Sequence, residues 1–258
     1  MSLFQTLPLP GGDSVERAAA KQTIWRLAAV TFGHPAPELQ ATIESGAFHE
    51  AFATAWLAVT GRAWPRTPPS ADFVALEAGY IEAFLHGPKG KPTASLLAGD
   101  HERLLAGQAR AVFMLNISAF YRHFGLQAAA GDEGRGDEPD HLASMLEFMV
   151  VLTHLETQAL ERGRDPAASR RAQRDFLRRY LCPLLRALAE GLRRRPVEGL
   201  DPTIAQLVSE LPDWARSQAA ELEARVGPYR DPEDASAVSA RTVEGQAAAR
   251  VVDQNLWG

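Results

Sequence analysis

EPDHLASMLEFM, residues 138–149, is the stretch from which the fold is read. Pro139 suits the first position of a helix, where a missing N–H costs nothing. Glu138 and Asp140 suit the same turn, because unpaired backbone N–H groups and the positive end of the helix dipole stabilise carboxylates there. The turns that follow are heavily apolar and carry one further carboxylate, Glu147. Placed between Leu146 and Phe148, Glu147 is expected to be buried and to satisfy a donor, since an unpaired buried charge is costly. Polar groups gathered at one helix mouth beside an apolar surface have the shape of a binding site.

Helical periodicity continues in both directions, and clean strand alternation is absent. Asp13 and Glu16 form a capping box for a helix to about residue 32, with Ile24, Leu27, Ala28 and Thr31 on one side. Further helices are expected at about 37–45, 47–59 with Gly61 as the stop, and from a Ser70 cap through Tyr80 and Phe84. A strong helix is expected from Asp100 to about 124, with Leu104, Leu105, Ala111, Leu115, Ser118 and Ala119 inside, followed by helices at 138–161 and 166–181. Pro183 should kink or restart the last of these. Asp201 and Pro202 open a final helical region, interrupted by Pro212 and ended by Gly227. RAWPRTPP (62–69) and HGPKGKPTASLLAGD (86–100) are loops, and loops as long as the second are usually functional or disordered. The fold class is therefore all-α, a bundle of roughly eight to ten helices. Residues 1–227 read as one domain with a hinge near 125–137, and 228–258 as an extended tail in which Leu256 and Trp257 could anchor the end.

At 258 residues, 46% apolar and 23% charged, the chain can bury a large core. A formal net charge of −5 gives no reason to expect nucleic acid as a partner. Cys182 is the single cysteine, which excludes a disulfide framework, a Cys-based zinc site and a protein-held iron–sulfur cluster. The N-terminal stretch lacks the basic start and apolar core of a secretory signal, and no run is apolar enough for a membrane span. A reducing cytoplasm is the expected location. Charge is segregated. Residues 131–161 hold eight acids and one arginine, and residues 162–195 hold eleven arginines and three acids. Either the two faces neutralise one another, or the acidic mouth attracts a cationic peptide while the arginines face an acidic surface.

Enzyme signatures are mostly missing. GPKGKP has the wrong spacing for a phosphate loop, and no dinucleotide fingerprint, zinc-protease motif or nucleophile elbow occurs. No two of the seven histidines stand at i, i+4 spacing. Glu138 and Asp140, two apart on a helix, would point away from each other, so shared acid–base work is disfavoured.

Several segments together resemble the TorD/DmsD/NarJ family of chaperones that mature molybdenum-containing oxidoreductases. They are Tyr80-x-x-x-Phe84 with Gly87, Pro92 and TASLLAGD; Ala119, Phe120, Tyr121 and Gly125; Glu138 to Leu142; Glu147, Phe148, Met149 and Leu152; and Phe176 to Leu181. The resemblance spans roughly residues 15–225 in the family's order. Tyr180 departs from it, standing where members commonly have histidine. The long tail is more like the chaperones that accompany ethylbenzene and dimethylsulfide dehydrogenases. The resemblance implies an all-helical protein with no catalysis and no cofactor of its own. Its partners would be the molybdopterin subunit of a DMSO-reductase-family enzyme and that subunit's N-terminal leader, often twin-arginine. It would hold the subunit until cofactor insertion and so prevent premature export. The implied peptide-binding residues are Glu138 and Asp140 as acceptors for arginine, with Glu147 as a further carboxylate. Tyr80, Phe84, Phe148 and Met149 would give apolar contact, and Gly87 and Pro92 would shape the loop. His141 would contact either the peptide or a neighbouring backbone carbonyl. Two rivals stay open: an enzyme with a buried carboxylate–histidine site, and a helical adaptor for another amphipathic segment.

Overall fold

Helix α1 (Val15–Phe32) is the axis around which the computed structural model is built; it describes residues 14–87, 90–126 and 138–230. Ile24, Trp25, Ala28, Thr31 and Phe32 are buried along its length, so this helix is covered on most sides. It packs against α7 (Leu142–Glu161), α3 (Ala47–Thr60) and α10 (Pro202–Val226). Its cap is Ser14, whose Oγ accepts the Arg17 N–H at 3.0 Å, rather than the expected Asp13 box. Asp13 lies outside the described residues.

Between α1 and α3 runs α2 (Pro37–Glu44), and Gly61 ends α3 with φ +69°, a left-handed closure that glycine makes without strain. Trp64 pins the proline-rich loop that follows, with its ring 4.5 Å from Phe52 and 4.7 Å from Trp56. Asp72, not Ser70, caps α4 (Phe73–Tyr80), which runs into a π-turn at Ile81–Leu85. Ser70 is held from the far end of the chain. Its N–H and hydroxyl donate to Asp201 Oδ2 at 2.9 and 2.7 Å, while Asp201 Oδ1 accepts the Thr203 N–H and so caps α10.

Two expectations about long helices are corrected. The region from Asp100 to residue 124 is broken: α5 (Glu102–Leu105) stops at Ala106 and Gly107, at φ +48° and +83°, and α6 (Arg110–His123) starts afresh. Conversely, Pro212 does not interrupt α10, whose 25 residues run through it. Leu211, Trp214 and Ala215 are buried on either side of the proline, so packing outweighs the missing N–H. The Pro183 restart appears as a π-turn at Leu177–Leu181 between α8 (Ala167–Phe176) and α9 (Cys182–Arg194).

The all-α expectation is met. Among the described residues there is no strand, and an isolated bridge joins Leu97 to His141. No described helix is long and apolar enough to cross a membrane. Residues 127–137 of the expected hinge and 231–258 of the expected tail lie outside the described residues.

Candidate functional site

The mouth of α7 differs from the sequence expectation in its cap and in its exposure. The helix begins at Leu142, and Pro139 sits in the preceding turn rather than at the first helical position. His141 is the cap residue. Its Nδ1 accepts the Ala143 N–H at 3.2 Å, so the ring caps its own helix. Asp140 has no exposed surface. Its Oδ2 accepts the Gly99 N–H at 2.7 Å, while its Oδ1 is buried with no hydrogen-bond partner among the described residues. Backbone bonds complete the closure: the Ala98 N–H donates to Asp140 O and the Leu142 N–H to Leu96 O, at 3.0 and 2.9 Å. The 94–100 segment is thus strapped across the helix mouth, with Ala94, Leu96 and Ala98 buried beneath it.

Arg110, the first residue of α6, fixes the outer edge of this strap. It donates to Asp100 Oδ1 and to Glu138 Oε2, both at 2.9 Å. Glu138 keeps 44% of its side chain exposed, but it is already paired. Tyr121 donates its hydroxyl to Pro139 O at 2.7 Å. Burial, together with the nearby charges of Asp140 and Glu147, pushes the phenol's pKa well above its ordinary value, so it stays a donor.

The remaining expected site residues divide cleanly. Tyr80, Phe84, Phe148 and Met149 are core side chains with at most 2% exposure, so in this conformation they offer a peptide no surface. Tyr80 donates to Phe32 O at 2.9 Å, and Phe148 packs 4.8 Å from both the Tyr121 and Phe176 rings. Glu147 is exposed, contrary to the expected burial. It faces outward because Leu146, Phe148 and Met149 occupy the inner arc of the helix. Gly87 is buried where a Cβ would come within 2.6 Å of Lys91 O, so only glycine fits; Pro92 is half-buried in the same loop. The structure therefore brings Glu138, Asp140 and His141 together, and scatters the aromatic residues into the core.

An open apolar surface lies on α6. Ala111, Val112, Leu115 and Ala119 point outward at helical spacing, with Val112 47% and Leu115 60% exposed. The inward side of the same helix is also apolar: Phe113, Ile117 and Tyr121 are buried, with Phe113 5.6 Å from the Tyr180 ring. At its C-terminal half, α6 and α8 border a groove of about 590 Å³. Phe120 and Phe124 line it from α6, and Ala168, Ala172, Arg171, Asp175 and Arg179 from the opposite side. Arg179 lies over the Tyr180 ring at 5.3 Å, and Asp175 is taken by Arg174 at 2.7 Å. Neither Arg171 nor Arg179 has a carboxylate partner among the described residues. The sequence reading put Ala111, Leu115 and Ala119 inside, and the structure turns all three outward because Phe113, Ile117 and Tyr121 take the inner side; it missed Val112, Phe124 and Arg110. The signal was present, because AVFMLNISAF is apolar on more than one face, and a surface helix needs only a stripe.

Nothing at these surfaces has the donor set of a metal centre, and among the described residues no group of three or more His, Cys, Asp or Glu converges. Cys182 is half-buried, and burial pushes its thiol up to about 12, far from thiolate reactivity.

Comparison with known proteins adds a family. Residues 44–190 match the model of the nitrate reductase delta subunit family. The chain is 52% identical over 246 residues, 95% of each chain, to the dimethyl sulfide dehydrogenase assembly chaperone protein of Rhodovulum sulfidophilum. It is 34% identical to the selenate reductase assembly chaperone protein of Thauera selenatis, over 68% of this chain and 85% of that one. It is 31% identical to the perchlorate reductase assembly chaperone protein of Dechloromonas aromatica, over 68% and 80%. No solved structure is significantly similar.

Proposed function

The chain belongs to the nitrate reductase delta subunit family, and we propose that it is an assembly chaperone for the catalytic subunit of a molybdopterin-dependent oxidoreductase. In this reading it works in the cytoplasm without catalysing a reaction. It binds the subunit's N-terminal leader, twin-arginine in type, and holds the apo-subunit back from export until the cofactor is in place. The relatives support the class of client, since each is named as an assembly chaperone for an oxidoreductase.

One observation carries the leader-binding part: the outward apolar face of α6 starts beside Asp100 and Glu138 and runs into the groove at Phe120 and Phe124. A leader has a basic start followed by an apolar helix. A track with carboxylates at one end and exposed Val112 and Leu115 along it suits both parts in that order. Asp140 then positions the strap beneath the track instead of touching the peptide.

Calorimetric titration of the full chain with a synthetic leader tests this. Leu115 is largely exposed, so Leu115→Asp should leave the fold intact. It should weaken binding by about 1.5–3 kcal/mol, the value of burying a leucine side chain. Affinity should also fall with salt, because the charge pairs at the mouth are screened. Unchanged affinity in Leu115→Asp sinks the track. Equal affinity for a leader without its arginines favours a general helical adaptor.

A further inference from the structure

We infer that the chain's own C-terminal segment, residues 231–258, occupies the α6–α8 groove, with Leu256 and Trp257 as the apolar anchor. The inference rests on the groove and on the chain's path, and it holds whichever client the protein serves.

The path comes first. After α10 the backbone is drawn onto α8: Arg174 Nη1 donates to Val226 O at 3.3 Å and to Gly227 O at 2.8 Å. Arg174 is the neighbour of Asp175, which lines the groove, and the two side chains are paired. The described chain therefore ends on the helix that forms one wall. A ten-residue helix such as α8 is about 15 Å long, so no part of that wall is far from the exit. The segment beyond Arg230 can extend by about 3.3 Å per residue and reaches the whole groove with chain to spare.

Composition comes second. Trp25, Trp56, Trp64 and Trp214 are all buried in the core, and Trp257 is the fifth tryptophan of the chain. Val251, Val252, Leu256 and Trp257 cluster near the end of the segment, and Leu256 and Trp257 are its largest apolar side chains. The groove offers them Phe120, Phe124 and Ala172, which are partly buried and not closed over by any described residue. An aromatic side chain gains most from such a site, because it buries a large area while losing few rotors.

Charge is the third argument. Asp231, Glu233, Asp234, Glu244 and Asp253 outnumber Arg241 and Arg250 in the segment. The rim presents Arg171 and Arg179, which have no carboxylate partner among the described residues, and Arg122 is exposed nearby on α6. An acidic segment is attracted to this rim, whereas the basic end of a leader is attracted to the opposite, carboxylate end of α6.

The test uses the full chain alone, with no client, so its failure is distinct from failure of the chaperone reading. Hydrogen exchange is compared between the natural chain and Leu256→Asp/Trp257→Asp, a change outside the described core. Amides of residues 115–124 and 168–176 should exchange several-fold faster in the variant, and binding of an apolar dye should rise several-fold. Exchange in α1 and α7 should not change. Arg171→Glu, at an exposed position, should give the same pattern more weakly. Identical exchange in both variants and the natural chain overturns the inference. So does groove protection that disappears on dilution together with a doubled mass, which would assign the groove to a second copy.

Discussion

Asp140→Ala is the perturbation that best separates the two ways of seeing the α7 mouth. If Asp140 were a free acceptor for arginine, the substitution would weaken peptide binding and leave stability alone. The structure predicts the reverse. Asp140 Oδ2 holds the Gly99 N–H at 2.7 Å with no exposed surface, so alanine removes a charge-assisted bond worth about 1.5–3 kcal/mol. The Gly99 amide loses its acceptor. Gly99 is only half-buried, so water recovers part of that loss. Oδ1 has no partner among the described residues, and removing a poorly solvated carboxylate returns some free energy. The balance is a destabilisation of about 1–2 kcal/mol, or a fall in Tm of roughly 2–8 °C for a chain of this size. Asp140→Asn keeps an acceptor of the same shape and should lose less. Thermal and urea unfolding followed by circular dichroism read both variants. An Asp140→Ala protein with the natural Tm and urea midpoint, but weakened leader binding, would falsify the strap and restore the exposed acidic mouth.

Other perturbations address the core and its charges. Gly79→Ala should cost at least about 1–3 kcal/mol, because its Cβ would stand 1.9 Å from Gly199 O, and backbone must move to admit it. A urea midpoint equal to the natural one argues against that contact. Glu156→Ala should cost about 3–5 kcal/mol by removing the carboxylate that pairs with buried Arg170 at 2.8 Å and also accepts from Gln173. The check is again equilibrium unfolding, with a loss under about 1 kcal/mol counting against a tightly packed pair. Glu223 has its pKa held below the ordinary 4.5 by the Arg178 hydrogen bond. Its contribution is complete above that ordinary value and is lost as pH falls through the lowered one. Tm should therefore drop more steeply on acidification in the natural chain than in Arg178→Met, and parallel curves would discount the pair.

Much of the bundle was legible because helix signals are local. The buried positions of α1, the Gly61 stop, the Pro183 restart and the Asp201–Pro202 opening all depend on residues within a turn of one another. What escaped reading depends on distant partners. Ser70 is an adequate local cap, yet Asp201 claims its N–H and hydroxyl from 131 residues away. Asp140 satisfies every local rule for an exposed helix-terminal carboxylate, and a strap from 41 residues upstream seals it. Tyr80, Phe84, Phe148 and Met149 show the same limit. Periodicity places them on one face of a helix but does not say whether core or solvent lies beyond it. The α6 surface was legible in principle, since Val112 and Leu115 add an apolar face that burial of Phe113, Ile117 and Tyr121 does not require.

The segregation of charge also has a physical resolution that neither opposing account captured alone. Part of the arginine-rich stretch is consumed internally: Arg170 by Glu156, Arg174 by Asp175 and two carbonyls, Arg178 by Glu223, Arg186 by Glu190. Among these, only Glu156 belongs to the acidic stretch, so mutual neutralisation of the two faces is slight. Arg162, Arg164 and Arg193 to Arg195 stay exposed away from α6, and part of the remaining charge is ordered along that helix. Asp100 and Glu138 gather round Arg110 at its first residue, and Arg171 and Arg179 stand opposite its last turns. Helix α6 spans about 20 Å, so at physiological ionic strength, with a screening length near 8 Å, each end is sensed separately. An apolar segment laid on this helix therefore has a preferred direction, with its basic end at the carboxylates and its acidic end at the arginines. Direction is what an apolar groove cannot supply by itself, and it gives an all-helical surface a means of telling one amphipathic segment from another.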